Sequence, residues 1–241
     1  MAVEQLRDEA DIELLSALVA AELGTDGQRW FTPDGYDGLA LCVLDSIYST
    51  GNRYSSVLRM LARYREARLE EGGDPYSDGP SDLLFAAQRW GGTDGFVAQT
   101  GYRWRVSTQP GAPFKAASAL GAARILQRAG LETIADVRGA LTDRTRQEAS
   151  PVKKEWIKLP GQRSGLTWTY FLMLAGVPGV KADRMVVRYV SRALGRETDP
   201  RESTLLVSAV ADRCGLSRTR LDHAIWRKES GRAIFTDSED E

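Results

Sequence analysis

Glycine and proline punctuate this chain from end to end, 23 and 9 of them in 241 residues, and they leave room only for short elements. Between the breaks the apolar residues recur at three- and four-residue spacing, and alternating apolar runs are few, which predicts helices. "VEQLRDEADIELLSALVAAEL" reads as a surface helix, and "LALCVLDSIYS" as a buried one, because its apolar residues run nearly all round. "TGN" breaks that helix before "RYSSVLRMLARYREARLEE" resumes as an amphipathic one. The loop "GGDPYSDGPSD" can cap "LLFAAQRW", "GGTDG" and "TQPGAP" read as breaks, and "FKAASALGAARILQRAG" is a helix ended by Gly130. "TIADVRGAL" makes a further short helix. No repeat, low-complexity segment or linker interrupts the pattern, so an all-α body is expected.

Composition removes several function classes. Two cysteines, Cys42 and Cys214, lie far apart in helix-like sequence and can build neither a disulfide framework nor an iron–sulfur cluster. One histidine, His223, rules out a histidine-rich metal site, and in "LDHAIW" it reads as packing for the C-terminal helix. There is no secretory segment and no run long enough to span a bilayer, so a soluble, cytoplasmic protein is expected. The formal charge of −1 hides an asymmetry. Residues 1–100 carry 8 Lys/Arg against 17 Asp/Glu, residues 101–150 carry 8 against 4, and residues 151–232 carry 16 against 8. A basic later half suggests a face that meets a polyanion, nucleic acid above all.

The densest information lies in "EWIKLPGQRSGLTWTYFLMLAGVPGVKADRMVVRYVSRALG", residues 155–195. Pro160-Gly161 can turn tightly between two helices and bring main-chain N–H groups close to whatever docks there, which suits a DNA phosphate. An apolar helix and a second Pro-Gly turn follow. Then Asp183 opens a helix whose other charges are Arg184, Arg188 and Arg192. Aspartate is a favoured N-cap. Such a carboxylate can also activate water or stabilise a cationic sugar, and the two roles are compatible, since a cap fixes a carboxylate for chemistry.

This block resembles the helix-hairpin-helix DNA glycosylases, whose pattern is L-P-G-h-G-x-K, a helix, and then an essential aspartate. Leu159-Pro160-Gly161 matches the hairpin start, and Asp183 falls 24 residues after Leu159, without a gap. More loosely, "FKAASALGAARIL" is similar to the family's "YNSKAENI"-type helix, and "LCVLDSIYSTGNRYSSVLRMLARY" to its buried early helix and DNA-facing loop. About two thirds of the chain is covered. The resemblance implies a two-lobed fold with the active-site cleft between lobes: residues 37–180 as a central lobe with the hairpin at 158–167, and residues 1–36 plus 181–241 as a second lobe. It implies Asp183 as the catalytic group. Gly161, Gln162, Arg163, Ser164, Gly165, Arg53 and Arg184 would lie on the DNA backbone.

Tyr48 stands at the place that resembles the family's inserted side chain, which fills the gap when a nucleotide is flipped, and the resemblance implies that its neighbours Asn52 and Arg53 touch the orphan base or backbone. As a residue alone, Tyr48 reads equally well as packing. Asp45 is an unexpected carboxylate inside an apolar helix; it either reads an exocyclic amine of the flipped base or pairs with a core arginine. Trp168 and Tyr170 could line the base pocket, although aromatics on such a helix are more often core. The departures also inform. Arg163 replaces the second hairpin glycine, the family's lyase lysine falls at Gly165, and the cluster cysteines are absent. A glycine forms no Schiff base, so the implied activity is base removal without lysine-dependent strand cleavage. No cofactor or metal is expected, with a monovalent cation at the hairpin the one ion admitted. The partner expected is double-stranded DNA, bound by a monomer.

Three readings follow. The first is a monofunctional DNA glycosylase that leaves abasic sites. Its substrate is a damaged base in general repair or, because the departures fit no common repair branch, a hypermodified base. The glucosylated hydroxymethylcytosine of phage DNA is such a base, and its removal would serve anti-phage defence. The second is a transcription regulator, since "VADRCGLSRTRLDHAIWRK", residues 210–228, looks like a helix-turn-helix with Arg218 and Arg220 leading its second helix. The third keeps the hairpin fold for DNA binding and has no chemistry.

Overall fold

The computed structural model describes residues 2–31, 35–141 and 144–236. Among these residues the chain is all-helical: α1 (Ala2–Leu23), α2 (Leu39–Tyr48), α3 (Tyr54–Glu70), α4 (Pro80–Arg89), α5 (Gly92–Thr100), α6 (Lys115–Arg128), α7 (Ile134–Leu141), α8 (Arg144–Ala149), α9 (Pro151–Trp156), α10 (Leu166–Leu174), α11 (Arg184–Leu194), α12 (Pro200–Arg213) and α13 (Arg218–Glu229). There is no strand among the described residues, only two isolated antiparallel bridges, Trp30 with Phe235 and Arg105 with Phe114. No described helix is long and apolar enough to cross a membrane. The chain divides into two compact units, Gly35–Val177 and Met1–Asp34 with Pro178–Glu241.

The Gly35–Val177 unit is built around α2. All ten of its residues are buried, as an apolar circumference demands, and it packs on α3, α4, α6 and α10. Its entry is set by Gly38, where a Cβ would stand 2.7 Å from the Tyr76 carbonyl oxygen and 2.8 Å from that of Asp78. The Asp78 carbonyl also accepts the Ala40 N–H at 2.9 Å. The Asp78 side chain is buried and bidentate to Arg68, with Nε–Oδ2 2.7 Å and Nη2–Oδ1 3.0 Å, and it takes the Tyr64 hydroxyl at 2.6 Å. A charge pair this deep persists because three hydrogen bonds to the carboxylate offset its desolvation. Asp78 holds the Arg68 guanidinium above its ordinary range.

One expected break is a helix. "GGTDG" supplies the N-terminus of α5: Gly91 and Gly92 both take positive φ (95° and 76°), after which Thr93, Asp94 and Gly95 are helical. A Cβ at Gly95 would lie 1.5 Å from the Trp90 carbonyl oxygen, so this glycine permits a close approach inside a helix.

The second unit packs α1, α11, α12 and α13 about Leu15, Val19, Leu23, Trp30, Val207, Val210, Leu221 and Ile225. Here α11 follows its sequence pattern closely. Val186, Tyr189 and Val190 are buried at helical spacing, Arg184 and Arg188 are exposed on the opposite side, and Gly195 ends the helix in a left-handed cap (φ 64°). Trp30 joins the core and satisfies its indole N–H on the Leu23 carbonyl at 2.7 Å.

Candidate functional site

In the Gly35–Val177 unit the hairpin between α9 and α10 is two successive turns, Gln162 N–H to Leu159 O and Gly165 N–H to Gln162 O, each 3.0 Å. Gly161 and Gly165 supply the left-handed positions these turns require (φ 76° and 75°). The main-chain N–H groups of Gly161, Arg163 and Ser164 make no hydrogen bond among the described residues, and all three residues are exposed. Gln162 departs from expectation. It is 4 % exposed and faces inward, where its Oε1 accepts the Thr167 hydroxyl at 2.6 Å and its Nε2 donates to the Pro160 carbonyl at 3.0 Å. Thr167 in turn accepts the Trp156 indole N–H at 3.0 Å. This chain stitches both helices to the turn, so Gln162 braces the hairpin and does not face a phosphate. Trp168 is corrected likewise. Its ring is buried against Trp156 and Phe171, with centroids 5.5 and 5.7 Å away, and forms part of the core beneath the hairpin rather than a pocket wall.

The first turn of α6 anchors two of the candidate segments at once. Ser118 Oγ donates to the Pro160 carbonyl at 2.9 Å, which holds the hairpin. Three residues earlier, on the same helix face, buried Lys115 donates to the carbonyls of Ile47, Tyr48 and Thr50 and so closes the C-terminus of α2. Burial lowers the Lys115 ammonium from 10.5 to about 8. Asn52 caps the same end, with Nδ2 2.8 Å from the Tyr48 carbonyl oxygen. Arg53 is exposed at the start of α3. Sequence patterning did not assign Lys115 a role. The signal was a lone cation on the buried stripe of "FKAASALGAARIL".

Tyr48 is fully buried, 5.9 Å from the Trp104 ring centroid, and its hydroxyl has no hydrogen-bond partner among the described residues. A ring with no exposed surface cannot fill a gap in a duplex while it is packed there, so the inserting role is withdrawn from it. Asp45 is buried too. Tyr36 OH (2.8 Å) and Tyr54 OH (3.3 Å) donate to its Oδ2, and Ser49 Oγ (2.5 Å) donates to its Oδ1. Burial, and then the Asp45 charge, push the Tyr36, Tyr54 and Tyr170 hydroxyls and the Cys42 thiol upward. Partners of this kind make a tyrosine-ringed acceptor, and none of them was marked by the spacing around Asp45.

In the other unit Asp183 caps α11. Its Oδ1 accepts the N–H groups of Met185 (2.8 Å) and Val186 (3.3 Å), and its Oδ2 makes no hydrogen bond among the described residues. The residue is half-buried. The loop before it is tied to α13: Lys181 N–H donates to Asp222 Oδ1 at 2.8 Å, Gly179 N–H to Thr219 Oγ1 at 3.2 Å, and Asp183 N–H to the Lys181 carbonyl at 2.6 Å. Burial pushes the Asp222 carboxyl up. Lys181 opposes this and the Asp183 charge adds to it. His223 packs on Trp226, and burial together with Arg227, Arg232 and Lys181 lowers it to about 4.

The arginines of α11 are mostly engaged. Arg188 binds the Glu229 carboxylate and carbonyl at 2.5 and 2.6 Å, and Arg192 bridges Glu22 and Glu229 at 2.7 to 2.9 Å. Arg184 is exposed and has no ion-pair partner among the described residues. The helix-turn-helix candidate forms as α12, a turn and α13. Its leading arginines are taken, however: Arg218 by Asp212 at 2.6 and 2.9 Å, and Arg220 by the Gly27 carbonyl and Gln28 at 3.1 and 2.9 Å. Among the described residues no three His, Cys, Asp or Glu side chains gather as a metal ion would need. A family model described as a domain of unknown function, DUF8548, matches residues 13–230. No curated protein and no solved structure matches the chain.

Proposed function

We propose that this chain, which belongs to the DUF8548 family, is a monofunctional DNA glycosylase that uses Asp183 to release a flipped base and leave an abasic site. The observation that carries the reading is the division of labour on Asp183. One carboxylate oxygen is held by two helix N–H donors and the other has no hydrogen-bond partner among the described residues. A capped carboxylate with a spare oxygen can stabilise positive charge that develops on a sugar, or orient the water that attacks it. In the proposed step the bond from the sugar carbon to the base nitrogen breaks. Water adds its oxygen to that carbon, and the departing base takes up the proton. Gly165, where the resemblance would put a lysine, supports hydrolysis without a Schiff base. The unengaged N–H groups of Gly161, Arg163 and Ser164 are suited to a phosphate, which main-chain donors bind without reading sequence.

The substrate class proposed is a hypermodified base, with the glucosylated hydroxymethylcytosine of phage DNA as its leading member and anti-phage defence as the role. It is supported by the departures from the repair pattern at Arg163, Gly165 and the missing cluster cysteines. The test incubates the protein with duplexes that are unmodified, that carry uracil, alkylated or oxidised bases, or that come from phage DNA with hydroxymethylated or glucosylated cytosine. Abasic sites, revealed as strand breaks only after alkali, are expected with the glucosylated class. Release from damaged bases alone would move the protein to general repair. Tight binding without release from any duplex would leave the non-catalytic reading.

A further inference from the structure

We propose that residues 102–114, the segment between α5 and α6, form a further DNA-contacting element that presents Arg103 to the phosphate backbone beside the hairpin. The inference rests on the reading of the hairpin as a duplex-binding element. The segment turns back on itself through the Arg105–Phe114 bridge, with Val106 N–H to Pro113 O at 3.1 Å and Lys115 N–H to Trp104 O at 2.8 Å. Arg105 also donates to the Ala112 carbonyl. These bonds hold an exposed excursion in one shape, which lowers the entropy lost when it meets a partner.

Burial alternates along it as an extended backbone requires. Tyr102, Trp104 and Val106 are half-buried, whereas Arg103 and Arg105 are exposed. The inward side seats the segment. Trp104 lies against Tyr48, and a Cβ on Gly161 of the hairpin would come within 2.8 Å of the Val106 Cβ. On the outward side both guanidinium groups lie over the Phe114 ring, Arg103 at 5.4 Å and Arg105 at 4.4 Å from its centroid. An aromatic face orients a guanidinium without neutralising it. No carboxylate pairs with Arg53, Arg103, Arg105 or Arg163 among the described residues. Because Lys115 holds the 47–50 carbonyls and Ser118 holds Pro160, the start of α6 carries all three segments on one foundation. A set of permanent, unpaired cations next to unengaged main-chain donors fits the phosphates of a duplex.

The test measures duplex affinity across a salt series for the whole protein, Arg103→Ala, Arg103→Lys, and Arg188→Ala as a paired-arginine control. A phosphate contact adds about 0.9 to the slope of log affinity against log salt. Arg103→Ala should lower the slope by about that amount, while Arg103→Lys and Arg188→Ala keep it. A wild type that binds duplex with a slope Arg103→Ala leaves unchanged overturns this inference alone. A wild type with no salt-dependent binding overturns it together with the reading of the hairpin. A lowered slope in a protein that releases no base supports the surface and removes the glycosylase.

Discussion

The arginines around α11 and those around the hairpin are spent differently. Around α11 they are tied inward: Arg188 and Arg192 to Glu229 and Glu22, Arg196 to Asp11 and Glu202, Arg213 to Glu9, Arg218 to Asp212. Around the hairpin, Arg53, Arg103 and Arg163 are exposed and have no carboxylate partner among the described residues. A local excess of positive charge is therefore a poor guide to where a polyanion can dock. Residues 151–232 hold the larger surplus, yet three of their arginines, Arg192, Arg196 and Arg213, neutralise acids of α1. In the proposed function, phosphate holding moves from the arginines of α11, Arg184 excepted, to the hairpin and its neighbours.

That contrast can be broken in graded steps. Arg68, in the hairpin's unit but paired deep in its core, should be the costliest of these arginines to orphan. Asp78→Ala leaves its charge buried and is expected to cost about 3–5 kcal/mol in urea unfolding. A loss under about 1 kcal/mol would mean that water already serves the pair. Glu229→Ala removes a shared acceptor from Arg188 and Arg192 and should cost about 2 kcal/mol. An unchanged midpoint would show that these exposed pairs add nothing net to stability.

The next test follows Lys115 through pH. Its folded value of about 8 lies below the 10.5 of the unfolded chain, so between these values the unfolded chain holds the extra proton. Stability at this site should rise with pH across that window, by up to about 1.4 kcal/mol per pH unit, and fall back as pH drops through 8. Lys115→Met should remove the rise, and unfolding curves that stay parallel from pH 8 to 10.5 would contradict it. His223 gives the opposite end in the other unit. With a folded value near 4 against 6.5, it contributes stability that is present above 6.5 and lost as pH falls through 4, an acid sensitivity that His223→Gln should weaken. Smallest of all, Arg163→Ala should leave unfolding within about 0.5 kcal/mol while lowering the salt slope of duplex binding by about 0.9.

Much of the helical plan was readable from spacing. The buried α2, the amphipathic α3 and α11, and Asp183 at the mouth of α11 all depend on local rules: an apolar circumference, an apolar stripe, a cap. What escaped depends on distant neighbours. Clustered glycines mark a loop by composition, and nothing local reveals that Gly95 is there to let the Trp90 carbonyl approach within a helix. Gln162 looks like a hairpin contact until Thr167 and Trp156 claim it from inside, and Tyr48 looks like a wedge until Trp104 covers it. The hydroxyls about Asp45 come from Tyr36, Ser49 and Tyr54, four to nine residues away, at spacings that carry no motif.

The most direct test of the account is single-turnover base release by the wild type and Asp183→Asn on the duplex that the substrate panel selects. Asparagine keeps an oxygen for the Met185 and Val186 N–H groups, so the cap and duplex binding should survive. Removing the carboxylate's charge should slow release by about 10²–10⁴-fold. Release at the wild-type rate from a correctly folded, DNA-binding variant would reduce Asp183 to a helix cap and contradict the central claim.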